Sequence, residues 1–151
     1  MNKLNFLRDE FPQLLTNLDV NTPPLFGKMN VHQMIEHMTD SIAIASGRII
    51  EPNHQAEDLT AKMKNFMMSD KPFRDNTPNP LMPDTPLTPR HILIVDSINE
   101  LQLEIAAFID NFKDDADKKV TNPFFGDLNF EEWTHLLHKH ALHHLRQFGM
   151  N

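Results

Sequence analysis

The chain has 151 residues and 40% apolar content, which suits one domain with a real core. Its formal net charge of −7 opposes a nucleic-acid surface, where a basic face is expected, and also opposes attraction to anionic membranes. Cysteine is absent, so disulfides, thiol nucleophiles and thiolate ligands are excluded, and any metal must be held by nitrogen and oxygen.

The N-terminal MNKLNFLRDEF carries charge too early for a signal peptide, and no apolar run reaches membrane-spanning length. A cytoplasmic location is the expectation. In the same region Leu4, Leu7, Phe11, Leu14, Leu15 and Leu18 recur at spacings of three and four, the mark of one apolar helical stripe. Pro12 falls inside this run, where it either kinks the helix or begins a fresh first turn. The turn-rich NTPPLFGKM follows. Asn30 is then a good N-cap for a second helix from Val31 to Ser46, with Gly47 as its stop.

Ile50 to Leu87 reads as a long insertion. Its first part, AEDLTAKMKNFMM, suits a short amphipathic helix, whereas DKPFRDNTPNPLMPDTP is too rich in proline for regular helix. Loops of this length are usually functional or mobile. A third main helix is expected to open at Thr88 and Pro89 and to continue through ILIVDSINELQLEIAAFIDNF. The run FKDDADKK reads as its solvated end. The fourth begins at Asn129, with Glu132 completing a capping box, and Gly149 closes it. No clear strand alternation appears. The expected architecture is all-α: one domain over 1–151, a four-helix bundle with a Pro-rich insertion between the second and third main helices.

Five of the nine histidines fall in one ten-residue stretch, at 135, 138, 140, 143 and 144. At about 100° per residue, His140 and His144 lie one above the other on a single helix face. Trp133, Leu136, Leu137, Gln147 and Phe148 fall near that face, so it should point into the core. His135 and His138 fall on the far side and should be solvated, and His143 lies at the edge. On the second helix His37 shares a face with Gln33, Met34, Ser41 and Ile44, whereas His32 comes out opposite. The methionines at 29, 34, 38, 63, 67 and 68 suit packing better than metal ligation, because a nitrogen and oxygen site does not select thioethers.

Two imidazoles four apart can grip a divalent ion of the zinc or nickel type, and His37 is the best candidate for a third ligand. Three nitrogens would leave open positions, as catalytic sites do. The competing reading is that inward histidines merely pack as satisfied core groups. No glutamate completes an H-E-x-x-H motif, so a metalloprotease mechanism is not supported.

KHALHHLRQF resembles the last-helix signature of the DinB-like (YfiT-like) superfamily, in which two histidines four apart are followed by a glutamine, here His140, His144 and Gln147. MNVHQMIEHM resembles its second-helix signature, a polar or acidic residue four positions before a metal-binding histidine, here Gln33 and His37. NPFFGDLNFEEWTHLLHKHALHHLRQFG looks more particularly like the branch known as domain of unknown function 1569. Three departures stand out. Gln33 replaces the commoner glutamate, Leu145 and Arg146 stand where other branches read arginine and glycine, and the long insertion is not general.

The resemblance implies a three-histidine divalent-metal site, often zinc or nickel, commonly in a homodimer. Its members include thiol-cofactor-dependent transferases and a mycothiol-dependent isomerase. The functional expectation is a metal-dependent enzyme acting on a small molecule, either a transferase using a low-molecular-weight thiol or a hydrolase. The metal ligands would be His37, His140 and His144. Asp40, one turn beyond His37 and about 60° off its face, would act as a base or orienting group, and Gln147 would hydrogen-bond a ligand. The rival expectation is a non-enzymatic bundle that binds a metal or a small molecule.

Overall fold

A computed structural model describes residues 2–76 and 79–150. It is mostly helical, in the order α1 (Lys3–Asn5), a π-helical turn (Phe6–Glu10), α2 (Phe11–Asn17), α3 (Val31–Ala45), α4 (Glu57–Met68), α5 (Ile94–Phe112), β1 (Val120–Asn122), β2 (Gly126–Leu128) and α6 (Phe130–Gln147). No helix among the described residues is long and apolar enough to cross a membrane.

Pro12 does not end the first helical stretch. It sits at the start of α2, just after the π-helical turn, where the Phe11 amide reaches back to the Phe6 carbonyl. The wide turn accommodates a residue that has no N–H to give the previous turn. The expected stripe survives: Leu7, Phe11 and Leu15 are buried, and Leu4, Leu14 and Leu18 pack at the rim of the core.

Helix α3 opens with the expected cap, and more fully than expected. The Asn30 side chain accepts from the Gln33 amide while the Gln33 side chain accepts from the Asn30 amide. Gln33 also donates to the Leu87 carbonyl at 3.1 Å. Gly47, at φ +83°, turns the chain away after Ser46. Met34, Ile35, Met38 and Ile42 of α3 meet Leu101, Ile105 and Phe108 of α5 and Trp133, Leu136, Leu137 and Leu145 of α6 in one core. Met29 and Met67 are also buried, as packing residues should be.

Helix α5 begins later than Thr88 and Pro89. The amides of Arg90 and His91 donate instead to the buried Glu36 carboxylate on α3, at 2.8 and 3.2 Å, and the helix starts at Ile94. Glu36 captures the donors that a first turn would have left free, so that stretch stays outside the helix.

The hairpin β1–β2 was not expected. It pairs Val120 with Leu128, Thr121 with Asp127 and Asn122 with Gly126. Three-residue strands are too short to show alternation. The Asn122 carboxamide oxygen accepts from the Phe124 and Phe125 amides, and Gly126 supplies φ +79° to close the turn. Trp133 donates its indole N–H to the Val120 carbonyl, so the hairpin sits against the start of α6. Helix α6 carries the expected Asn129–Glu132 capping box.

Candidate metal centre

Helices α3 and α6 bring three histidines together. One ring nitrogen from each of His37, His140 and His144 lies within 4.8 Å of the others. His37 Nε2 is 3.2 Å from His140 Nε2, and His144 Nε2 is 2.8 Å from His140 Nε2. The periodicity of α6 puts His140 and His144 on its inward face, and that of α3 turns His37 toward them. The ring of His37 meets those of His140 and His144 edge-on, with centroids 5.0 Å away in each case.

Burial disfavours the charged form of all three. It pushes His37 down to about 4, with the His143 charge as the lesser cause. His140 and His144 are held well below the ordinary imidazole value by burial first and by the neighbouring histidines second. All three are therefore neutral near pH 7, as ligation requires.

The donor set fits a cation. Both contacts fall on His140 Nε2, which offers either one N–H or one lone pair and so cannot complete a full hydrogen bond to each neighbour, whereas a positive centre would satisfy all three lone pairs. A tetrahedral ion with Zn–N bonds of roughly 2.0–2.1 Å sets neighbouring nitrogens about 3.3 Å apart. The 3.2 Å pair already has that spacing, and the 2.8 Å pair is slightly closer.

The other expected site residues lie differently. Asp40 is not a member of the cluster. Its carboxylate pairs with Arg90 at 3.2 Å, and Arg90 also binds Glu100 and lies 3.6 Å from Glu36. Burial raises the Asp40 carboxyl, against the lowering effect of Arg90. Gln147 is buried, and both ends of its carboxamide are engaged: Oε1 lies 2.8 Å from His144 Nδ1, and Nε2 donates to the Phe26 carbonyl at 2.9 Å.

His135 and His138 are not the solvated residues expected from the helix wheel. His135 Nε2 lies 2.8 Å from the Met67 carbonyl, and its Nδ1 lies 2.7 Å from Lys3 Nζ. The Phe6 ring stands edge-on to His138, whose buried Nε2 has no hydrogen-bond partner among the described residues. Helix α6 is covered on this side by the N-terminal helical stretch and by residues 66–73, which a wheel of α6 alone cannot show. Lys139, also buried, bonds the Phe66, Met67 and Ser69 carbonyls at 3.0–3.1 Å, and Arg146 reaches the Phe73 carbonyl at 3.0 Å. His143, at the edge as expected, has its ring centroid 5.1 Å from that of His144.

The network around Glu36 was missed by the sequence reading. His32, expected on the far face, lies with its Nε2 2.7 Å from Ser97 Oγ, which donates to Glu36 at 2.7 Å. A glutamate one residue before an inward histidine was the available signal, but its partners lie 54 to 61 residues away.

A cavity of about 490 Å³ opens between the end of α3, residues 49–53 and the hairpin. Ile44 lines it, two turns beyond His37, together with Glu51 and Asp127. The three histidines do not line it.

No curated protein and no solved structure matches the chain. The family model of the DinB superfamily matches residues 3–148, nearly the full length, and the three histidines that resembled its signature are the three that meet between α3 and α6: the chain belongs to the DinB superfamily.

Proposed function

We propose that this chain is a DinB-type four-helix bundle of the domain of unknown function 1569 branch, and that His37, His140 and His144 hold one divalent ion, zinc or nickel, for metal-dependent chemistry on a small molecule. The four helices of the bundle are the N-terminal stretch, α3, α5 and α6, and the segment 50–87 is the Pro-rich insertion. The observation that carries this reading is the convergence within 4.8 Å of three neutral imidazole nitrogens, that of His144 from a buried residue and those of His37 and His140 from half-buried ones.

When bound, the ion would supply an open Lewis-acidic position, suited either to the sulfur of a low-molecular-weight thiol or to water. Thiol-dependent transfer and hydrolysis are the two reactions this serves. The protein's own contribution is to hold three nitrogens neutral and pre-aimed from two rigid helices, with little rearrangement needed on loading. Asp40 belongs to the Arg90 clasp in this reading and is not the base, because its nearest ionic partner is the guanidinium. A non-catalytic metal-binding module is the remaining alternative. It predicts loading without turnover of thiols, electrophiles or esters.

The test is zinc and nickel titration of metal-free protein by calorimetry. The expected result is one ion per chain for the wild type and loss of tight binding in His37→Ala, His140→Ala and His144→Ala. Glu100→Gln, outside the cluster, should bind normally. Equal binding in all variants would sink the assignment.

A further inference from the structure

We propose that Gln147 is a positioning residue that fixes the tautomer of His144, and that the backbone at Phe26 and Gly27 fixes Gln147 in turn. The proposal deepens the metal-site reading and rests on it for its consequence, although the tautomer itself does not depend on any ion.

A carboxamide has a donating end and an accepting end of nearly equal shape, so its neighbours decide which way it points. The Phe26 carbonyl can only accept, and it lies 2.9 Å from one end of the Gln147 amide. That end must be the NH₂. The other end is therefore the carbonyl oxygen, an acceptor, and it faces His144 Nδ1 at 2.8 Å. Nδ1 must then carry the hydrogen. A neutral imidazole has one N–H, so His144 Nε2 is left bare, and it is this nitrogen that faces His140 Nε2 at 2.8 Å. His144 is 4% exposed and Gln147 3%, so water does not offer either group an easy substitute partner.

The loop that supplies the Phe26 carbonyl is held close by two further features. The Leu25 amide donates to the Gln147 backbone carbonyl at 2.7 Å. Gly27 has φ +74°, a conformation that L side chains rarely adopt, and a Cβ there would stand 2.9 Å from Gln147 Nε2. Any side chain at 27 would strain the loop and press on the amide that sets the tautomer. Glycine at this position thus serves both the backbone conformation and the room that the Gln147 carboxamide needs beside His144.

The test reads the tautomer directly. In metal-free wild-type protein labelled with ¹⁵N-histidine, long-range ¹H–¹⁵N correlation should show His144 as the Nδ1–H form. In Gln147→Leu, which is similar in size but cannot accept, that form should give way to Nε2–H or to a mixture. Gly27→Ala should move the same signals in the same direction while leaving the carboxamide in place. Zinc affinity, measured by competition with a chromophoric chelator, should fall roughly 10–100-fold in Gln147→Leu, the usual cost of losing a partner that orients a ligand. An Nε2–H tautomer in the wild type would overturn the proposal, and so would unchanged zinc affinity in a folded Gln147→Leu. A wild type that shows the Nδ1–H form yet binds no zinc would leave the lock standing and remove the metal reading instead.

Discussion

His37, His140 and His144 share one physical condition: each is cheaper to keep neutral than charged. The consequence for metal-free protein follows from their depressed proton affinity. As pH falls below about 6.5, the unfolded chain takes up protons on these histidines before the folded protein does. Their contribution to stability is therefore complete above that value and shrinks as pH falls, until His37 itself protonates at about 4. Each histidine that only the unfolded chain protonates adds about 1.4 kcal/mol per pH unit to the slope. Glu36, Glu100 and Glu132, whose carboxyls are held low by their hydrogen bonds and ion pairs against the opposing effect of burial, act only in the more acid range. Urea unfolding of metal-free protein should thus show falling stability from pH 6.5 to pH 5, and a shallower fall in His37→Gln. Stability that is flat across this interval would contradict the buried, neutral state. The convergence of the three histidines was legible because helix periodicity, which sets the inward faces of α3 and α6, is a local property. The role of Gln147 was not, because its partner is a carbonyl 121 residues away in a loop that has no pattern to read.

Among the elements, α5 shows most clearly how a tertiary contact overrides a local signal. Thr88 and Pro89 make a good helix start by sequence. The chain instead surrenders the Arg90 and His91 amides to Glu36, whose carboxylate also accepts from Ser97. Burial pushes the Glu36 carboxyl up, but the hydrogen bonds from Arg90, Ser97 and His91, with the Arg90 charge, outweigh it and hold the group ionised. Replacing Glu36 with alanine would strand the Arg90 and His91 amides beside the core, while Ser97 Oγ would keep His32 Nε2 as a partner. The expected cost is roughly 3 kcal/mol, since each unsatisfied buried group costs about 1–3 kcal/mol and relaxation recovers part of it. Denaturant unfolding at pH 7.5 measures this, and a cost below about 0.5 kcal/mol, typical of a surface substitution, would show that the clasp is not structural. The helices with strong stripes and capping boxes, α3 and α6, were readable within a residue or two. The hairpin was not, because three paired residues per strand leave no period, and only the Asn–Pro and Gly–Asp punctuation of its turn marks it.

The whole molecule is one core wrapped by a chain segment that sequence reasoning could bound but not place. Residues 66–73 lie along α6 because Lys139 and Arg146 collect their carbonyls, with Lys139 Nζ also 4.8 Å from the Phe66 ring centroid. This segment and the N-terminal helical stretch together account for the burial of α6 on a second side and for the misplaced expectation about His135 and His138. We propose that the protein assembles as a homodimer, on the strength of the family to which it belongs. Light scattering at micromolar concentration should give twice the chain mass of 17.5 kDa, and a monomer would overturn this. The central claim is narrower: three imidazoles from two helices make one metal site. X-ray absorption of zinc-loaded protein reads that shell directly. It should show three imidazole nitrogens at about 2.0–2.1 Å in the wild type. In His140→Ala, zinc should bind only weakly, with fewer imidazoles in its shell. A wild-type shell made of oxygen alone, or an unchanged shell in His140→Ala, would contradict it.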